Sequence, residues 1–318
     1  MAAIDPAGSA QLSPLTGQPN SDPFAGVDFD ELETSLRRPR TLINILLTWV
    51  VAGMTLLALG PLFSVIWMLF WRGGKKLSLA LFTQLPPAPL EQGGGFGNAI
   101  VGTIIIVVMA ALISVPLGVL SALFMAQSKD GDRLASAVRF AAKVLTGFPS
   151  ILAGVFAYGV VVLASGGFSA FAGAVAVSIL MLPTIMLTAE DAIRMVPARM
   201  KEAAIGMGAT KTQTAVMVLL PTAFPGILTG IMLAVARAAG ETAPLLFTSL
   251  FSSYWPASGH HLNLMQPTAS LAVLIYNFAG MPFQNQVEMA WAAALVMVLM
   301  VLITNLIGQS LSQRQVQS

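Results

Sequence analysis

Few side chains in this sequence can do chemistry, and the most telling are two opposite charges four residues apart in an apolar stretch, Arg237 and Glu241. From Ala223 to Ala236 no charged residue occurs; the chain then reads Arg237-Ala-Ala-Gly-Glu241-Thr242-Ala-Pro244. A guanidinium offers planar, paired donors that fit the oxygens of carboxylate, sulfate or phosphate. On a helix Glu241 falls on the same face as Arg237. It then offsets part of the cost of an Arg in an apolar medium, about 2.5–3.5 kcal/mol at the centre of a span. Two readings stay open from the residues alone. One is a structural ion pair or a snorkelling Arg; the other is an anion contact in which Glu241 orients Arg237 and keeps the anion from binding too tightly to leave.

A second constellation lies in Arg194 to Pro221, RMVPARMKEAAIGMGATKTQTAVMVLLP. Ala203, Ala204, Gly206, Gly208 and Ala209 cluster there, and small residues permit close backbone approach, as a short helix and turn fitted against another protein surface would need. An ordinary solvated loop is the competing reading. Other chemistry is poorly supplied. There is no cysteine, hence no thiol nucleophile or thiolate metal site. The histidines are the adjacent pair His260 and His261, without acidic companions, a poor metal site. Glu190 and Asp191 read as helix-capping groups or partners of Arg194. Gly208-Ala-Thr-Lys-Thr echoes the end of a phosphate-cradling loop, but Lys211 follows Thr210 instead of glycine, so the chain is no ATPase by itself.

The elements that must position these residues are membrane helices. Of 318 residues, 56% are hydrophobic and only 9% charged; soluble domains carry about 25% charged residues. The net charge of +2 forms no basic face for nucleic acid. Segments of about 20 apolar residues fall at roughly 42 to 71, 98 to 126, 144 to 165, 168 to 189, 223 to 247 and 287 to 308. The spacing thus predicts an all-α protein of six spans over 41–318, preceded by a tail at 1–40. Ser165-Gly166-Gly167 makes spans three and four a helical hairpin. Gly226, Gly230, Ala234 and Ala238 recur every four residues, as close helix packing in lipid requires. With the N-terminus inside, twelve Lys and Arg lie in the cytoplasm and three outside, namely Arg72, Lys75 and Lys76. That orientation puts both termini in the cytoplasm.

At these residues the chain resembles a known family. Glu202-Ala203-Ala204, Gly208, then Val218, Leu220 and Pro221 resemble the EAA signature of bacterial ABC importer permeases, with Val218 where the signature has Ile. The resemblance implies a MetI-like permease fold in which 194–221 couples to ATPase subunits, with Glu202 to about Thr212 as the docking helix. Ala236 to Leu245 further resembles the RAxGETAPL segment of phosphate permeases of the PstA type. Asn98 to Thr103, Val115 to Gly118 and Thr146 to Gly154 agree with it, so the similarity runs from about 96 to 308. What this implies is an importer of inorganic phosphate in the bacterial inner membrane, with Arg237, Glu241 and Thr242 on the substrate pathway. Its implied partners are a PstC-like second permease, two ABC ATPase subunits that use ATP and Mg, an external phosphate-binding protein and membrane lipid. No cofactor or metal is expected on this chain. Import of sulfate or molybdate, or action as a self-contained channel or secondary carrier, remain the alternatives at this stage.

Overall fold

The structure, a computed structural model, describes residues 39–129, 131–258 and 261–316. The expected tail at 1–40, with the basic residues Arg37 and Arg38, lies almost wholly outside the described residues, as does His260. The first helix, α1 (Pro39–Met68), runs on through a π-helical turn, Leu69–Gly73. The chain divides into two compact units between Ser64 and Val65, within α1. In the first unit α1 is described up to Ser64, an apolar helix whose Thr48 and Thr55 hydroxyls donate to carbonyls one turn earlier, which satisfies these two donors within the helix.

The second unit contains α2 (Ala80–Thr83), α3 (Gly97–Gln127), α4 (Arg133–Thr146), α5 (Ser150–Ala157) with a π turn at Tyr158–Val162, and α6 (Leu163–Ser165). There follow α7 (Ala170–Arg194), α8 (Ala198–Gly206), α9 (Lys211–Thr214) with a π turn at Ala215–Leu219, and α10 (Leu220–Ala239). The chain closes with α11 (Ala243–Leu246), α12 (Leu271–Ala279) and α13 (Gln284–Val316). A minimal antiparallel pair, β1 (Ala257–Ser258) and β2 (His261–Leu262), lies in the loop before α12. The fold is otherwise all-helical.

Among the described residues five helices are long and apolar enough to cross a membrane, and a bent pair, α4 with Ser150–Ser165, makes six if it is counted as one span. This pair corrects the expected third span. A continuous helix from 144 does not exist: the axis turns by 105° at Gly147-Phe148-Pro149. Pro149 pushes Phe148 out of the helical region and cannot donate to the preceding turn. Upstream, Asp132 caps α4 by accepting from the Leu134 amide at 2.9 Å. α4 is amphipathic, with Arg133, Ser136, Arg139 and Lys143 along one stripe. The crossing proper is Ser150–Ser165, about 24 Å long. It turns back through Gly166, whose φ of 77° only glycine adopts freely, into the Ser169 cap of α7. The helical hairpin is therefore present.

α7 is the centre of the second unit, with α3 and α10 packed against it. Small residues set these contacts. A Cβ on Gly118 would lie 2.7 Å from the Ile185 side chain, and one on Gly226 would lie 2.7 Å from Ala192. Gly230 abuts Thr188, while Ala234 and Ala238 are buried in the core shared by α3, α7 and α10. The four-residue stripe is thus the α10 packing face, and lipid-embedded helices associate through such close contacts.

Candidate functional site

Arg237 stands in the last turn of α10, and Glu241 lies beyond that helix. The fifth crossing runs from Lys211 to Ala239, so the expected span of 223 to 247 is shifted and shortened at its far end. Gly240 weakens the helix there, and Pro244 has no N–H to donate to the Gly240 carbonyl. The ion pair forms despite the break: Arg237 Nε donates to Glu241 Oε1 at 3.2 Å. The Arg237 side chain is 45% exposed and that of Glu241 14%. Its two terminal amino groups donate to no protein acceptor among the described residues. The pair is therefore one-sided: Nε is committed to Glu241 and the terminal donors remain available to an anion.

The site lies well within the membrane-spanning length. Ala238 and Ala239 are buried beside Ile106, Val107 and Ala110, which puts the end of α10 roughly 14–20 Å in from the Gly97 end of α3. The adjacent segment leaves the helix and carries on along α7 toward its N-terminal end, with Leu245 and Ser249 beside Gly173. Thr242 starts α11, its carbonyl accepting from Leu245 and Leu246 at 3.1 and 3.2 Å; its hydroxyl makes no capping bond. The carbonyl of Thr248 accepts from Ser169 N, and that of Ser249 from Thr268 N, both at 3.0 Å.

Residues outside the charged pair hold this segment. Gly154 lies against Pro244, where a Cβ would come within 2.6 Å of the Pro244 Cα. Asn98 Nδ2 donates to the carbonyls of Ser252 and Tyr254 at 2.8 and 3.3 Å. Thr103 Oγ1 accepts from Leu271 N at 2.8 Å, and Gly102 gives room to the Ala269 carbonyl. These positions fall in the Asn98 to Thr103 and Thr146 to Gly154 stretches. Their sequence signal was a small or polar residue in an apolar helix, but the partner was not legible.

The segment at 194–221 forms α8, a turn, α9 and the start of α10, so the docking helix expected from Glu202 to about Thr212 is corrected: α8 starts at Ala198 and ends at Gly206, where the Gly208 turn breaks it. Glu202 and Ala203 are exposed and Ala204 is buried. Gly208 has φ of 88° and follows α8 in a Schellman arrangement: Ala209 N donates to Ala204 O at 3.0 Å and Gly208 N to Ile205 O at 2.9 Å. Thr210 and Gln213 complete a reciprocal capping box for α9. Val218 is half-buried within the π turn, Leu220 is half-buried and Pro221 is exposed at the start of α10. The π turn accommodates Pro221, which cannot donate to Met217. No atom lies within 4 Å of a Cβ on Gly206 or Gly208. With Met200, Ile205 and Met207 41%, 51% and 84% exposed, α8 and its turn present an apolar surface away from the rest of the second unit.

One functional-looking cluster exceeds what the residues suggested. Glu190 does meet Arg194, Nε to Oε1 at 2.9 Å, but it also receives Arg139 from α4 at 2.5 Å. Arg194 Nη2 donates in addition to the Met125 carbonyl in the last turn of α3 at 3.2 Å. The buried carboxylate of Glu190 thus ties α3, α4 and α7 together. Among the described residues no group of three or more acidic, His or Cys side chains is arranged to hold a metal.

Residues 114–317 match the family of binding-protein-dependent transport system inner membrane components. The chain is 39% identical over 251 residues to the phosphate transport system permease protein PstA of Yersinia pestis, covering 78% of this chain and 83% of that protein. PstA of Haemophilus influenzae is 40% identical, with 77% and 86% covered. Among solved structures, a bacterial alginate ABC transporter in complex with an alginate pentasaccharide-bound periplasmic protein superposes with a TM-score of 0.60 at 17% identity, covering 86% of this chain and 98% of that chain. The inward-facing MetNI methionine ABC transporter gives 0.54 at 19% identity, covering 69% and 93%. These two structures share the fold alone.

Proposed function

The chain belongs to the family of binding-protein-dependent transport system inner membrane components, within its PstA-type phosphate permease branch, and from that premise we propose that it carries inorganic phosphate past Arg237 by alternating access. The observation that supports this reading best is the half-committed guanidinium. Glu241 fixes Nε, so the terminal amino groups meet a passing oxyanion with two parallel donors. The same carboxylate repels the anion and prevents it from resting there, as a conducting site requires. The turn that brings Glu241 to Arg237 is closed by the Gly240 and Glu241 amides, which donate to the Arg237 and Ala238 carbonyls at 3.0 and 3.3 Å, and Thr242 follows it at the start of α11.

The pore is completed by a PstC-like second permease. Two ABC ATPase subunits hydrolyse ATP with Mg and engage α8 through the exposed Met200, Ile205 and Met207 and the Gly208 turn. An external phosphate-binding protein delivers the substrate. The N-terminus is cytoplasmic, α8 faces the cytoplasm and residues 72–97 face outward, in accord with the distribution of Lys and Arg.

Two measurements test this. Phosphate uptake in reconstituted vesicles is lost in Arg237→Gln while the four-component complex still assembles; normal uptake overturns the pathway role. Unlabelled sulfate and molybdate leave labelled phosphate uptake unchanged; competition by either at concentrations near that of phosphate assigns the pore to another oxyanion. Orientation is open to a direct check because the chain has no cysteine. A membrane-impermeant maleimide labels Gln92→Cys, exposed in the outer segment, from outside and Met207→Cys only after the membrane is opened.

A further inference from the structure

In the proposed orientation, Arg72, Lys75 and Lys76 are the chain's external basic residues; the long segment 248–286 has none. Their placement opposes the bias that retains Lys and Arg inside, so some favourable partner is called for. All three line one cavity of about 390 Å³, with Gln284, Glu288 and Trp291. Lys76 is paired with Glu288 at 2.9 Å, and Gln284 donates to the same carboxylate at 3.0 Å. The other two cations have no such partner among the described residues. The Arg72 guanidinium lies 5.5 Å from the centre of the Trp291 ring and the Lys75 ammonium 4.5 Å from that of Trp71. Aromatic faces orient a cation without neutralising it, so three positive charges face one carboxylate.

The surroundings indicate what anion is near. Trp67 and Trp71, both exposed, stack with ring centres 6.4 Å apart, a pair of indoles of the kind that settles at headgroup level. Directly after Lys76, Leu77 and Leu79 wall a cavity of about 660 Å³ whose other walls include Phe82, Ile104, Leu299 and Ile303, almost entirely apolar. Charge and apolar wall thus adjoin along one short stretch of chain.

We propose that this cavity binds the phosphodiester headgroup of an anionic phospholipid from the external half of the bilayer, with Arg72 and Lys75 on the phosphate oxygens and an acyl chain along the Leu77–Leu79 wall. A zwitterionic lipid is disfavoured because its own cation would add to the excess of positive charge. The proposal rests on the outward placement of residues 72–97.

Native mass spectrometry of the assembled transporter, from nanodiscs of mixed phosphatidylglycerol and phosphatidylcholine, is the test. The wild type retains phosphatidylglycerol, with affinity falling about 5-fold for each charge removed and about 25-fold in Arg72→Gln/Lys75→Gln. The charge-conserving Arg72→Lys/Lys75→Arg retains it. Equal retention in the neutral double variant, loss in the charge-conserving one, or retention of phosphatidylcholine alone overturns the proposal. Displacement of the lipid by millimolar inorganic phosphate also overturns it and assigns the cavity to the free ion. The Gln92→Cys labelling separates the two readings: label from inside removes the external placement, whereas label from outside with no lipid preference removes the lipid site alone.

Discussion

The Arg237–Glu241 pair is informative because its two members are held differently. Arg237 is fixed in direction by Glu241 yet leaves nearly half its side chain exposed, while Glu241 is mostly covered. Arg237→Lys therefore does not restore uptake: a point ammonium keeps the charge but loses the forked donors. Uptake by Arg237→Lys within twofold of wild type would show that charge alone suffices. Glu241→Gln leaves the guanidinium without its counter-charge and slows release, lowering turnover while tightening apparent phosphate affinity. Gly154 belongs to the same scale. A Cβ there meets Pro244 at 2.6 Å, so Gly154→Val displaces α11 and costs about 1–3 kcal/mol of stability, together with uptake. Thermal unfolding and uptake of this variant check both halves. The four-residue spacing made the charged pair legible, but a helix carrying it onward was the wrong inference: Gly240 and Pro244 end α10 first, and the pairing survives through a turn. Gly154 closes a stretch that resembles the family; that it makes room for Pro244 depends on two segments far apart in the chain.

At the scale of elements, α8 and its turn are set by capping chemistry that acts within a few residues. Gly208 occupies the left-handed position of a Schellman turn with open space around it. Gly208→Ala therefore costs only the backbone penalty of about 1–2 kcal/mol and leaves the chain folded. A larger side chain, as in Gly208→Leu, adds bulk to a face that no neighbour in the second unit occupies. Transport falls and ATP hydrolysis by the complex no longer follows phosphate, while unfolding of the isolated subunit shifts no more than in the Ala variant. An equal loss of coupling in both variants would place the effect in the turn itself instead of the docking face. The short loop and capping pattern were readable because such signals are local. The bend before the third crossing was missed because Phe148-Pro149 sits inside a run whose hydropathy alone passes for one helix.

For the whole molecule, the Glu190 cluster joins three helices at one end of the second unit, and its removal tests how far the fold depends on it. Glu190→Ala leaves Arg139 and Arg194 without their shared carboxylate, so α4 is held to α7 only by the apolar contact around Ala142 and Met186. A loss of about 1–3 kcal/mol is expected, below the value for a fully buried pair because both arginines are partly exposed. Unfolding of Glu190→Ala and Arg139→Gln by heat in detergent measures it, and no change in either would reduce the cluster to a surface ornament. By itself the sequence determined that this is a helical membrane protein, where its crossings lie to within several residues except for the fifth, which starts twelve residues earlier than expected, and which rare charges stand within them. Hydropathy and spacing are local quantities, and in an apolar chain every charge stands out. Only the tertiary structure decided that Glu190 binds Arg139, that Gly118, Gly154 and Gly230 each make room for a specific neighbour, and that Arg237 ends its helix with donors left over. Each of these is a contact between residues distant in the chain, or a competition between a local helix signal and a breaker, and its outcome depends on the packing that surrounds it.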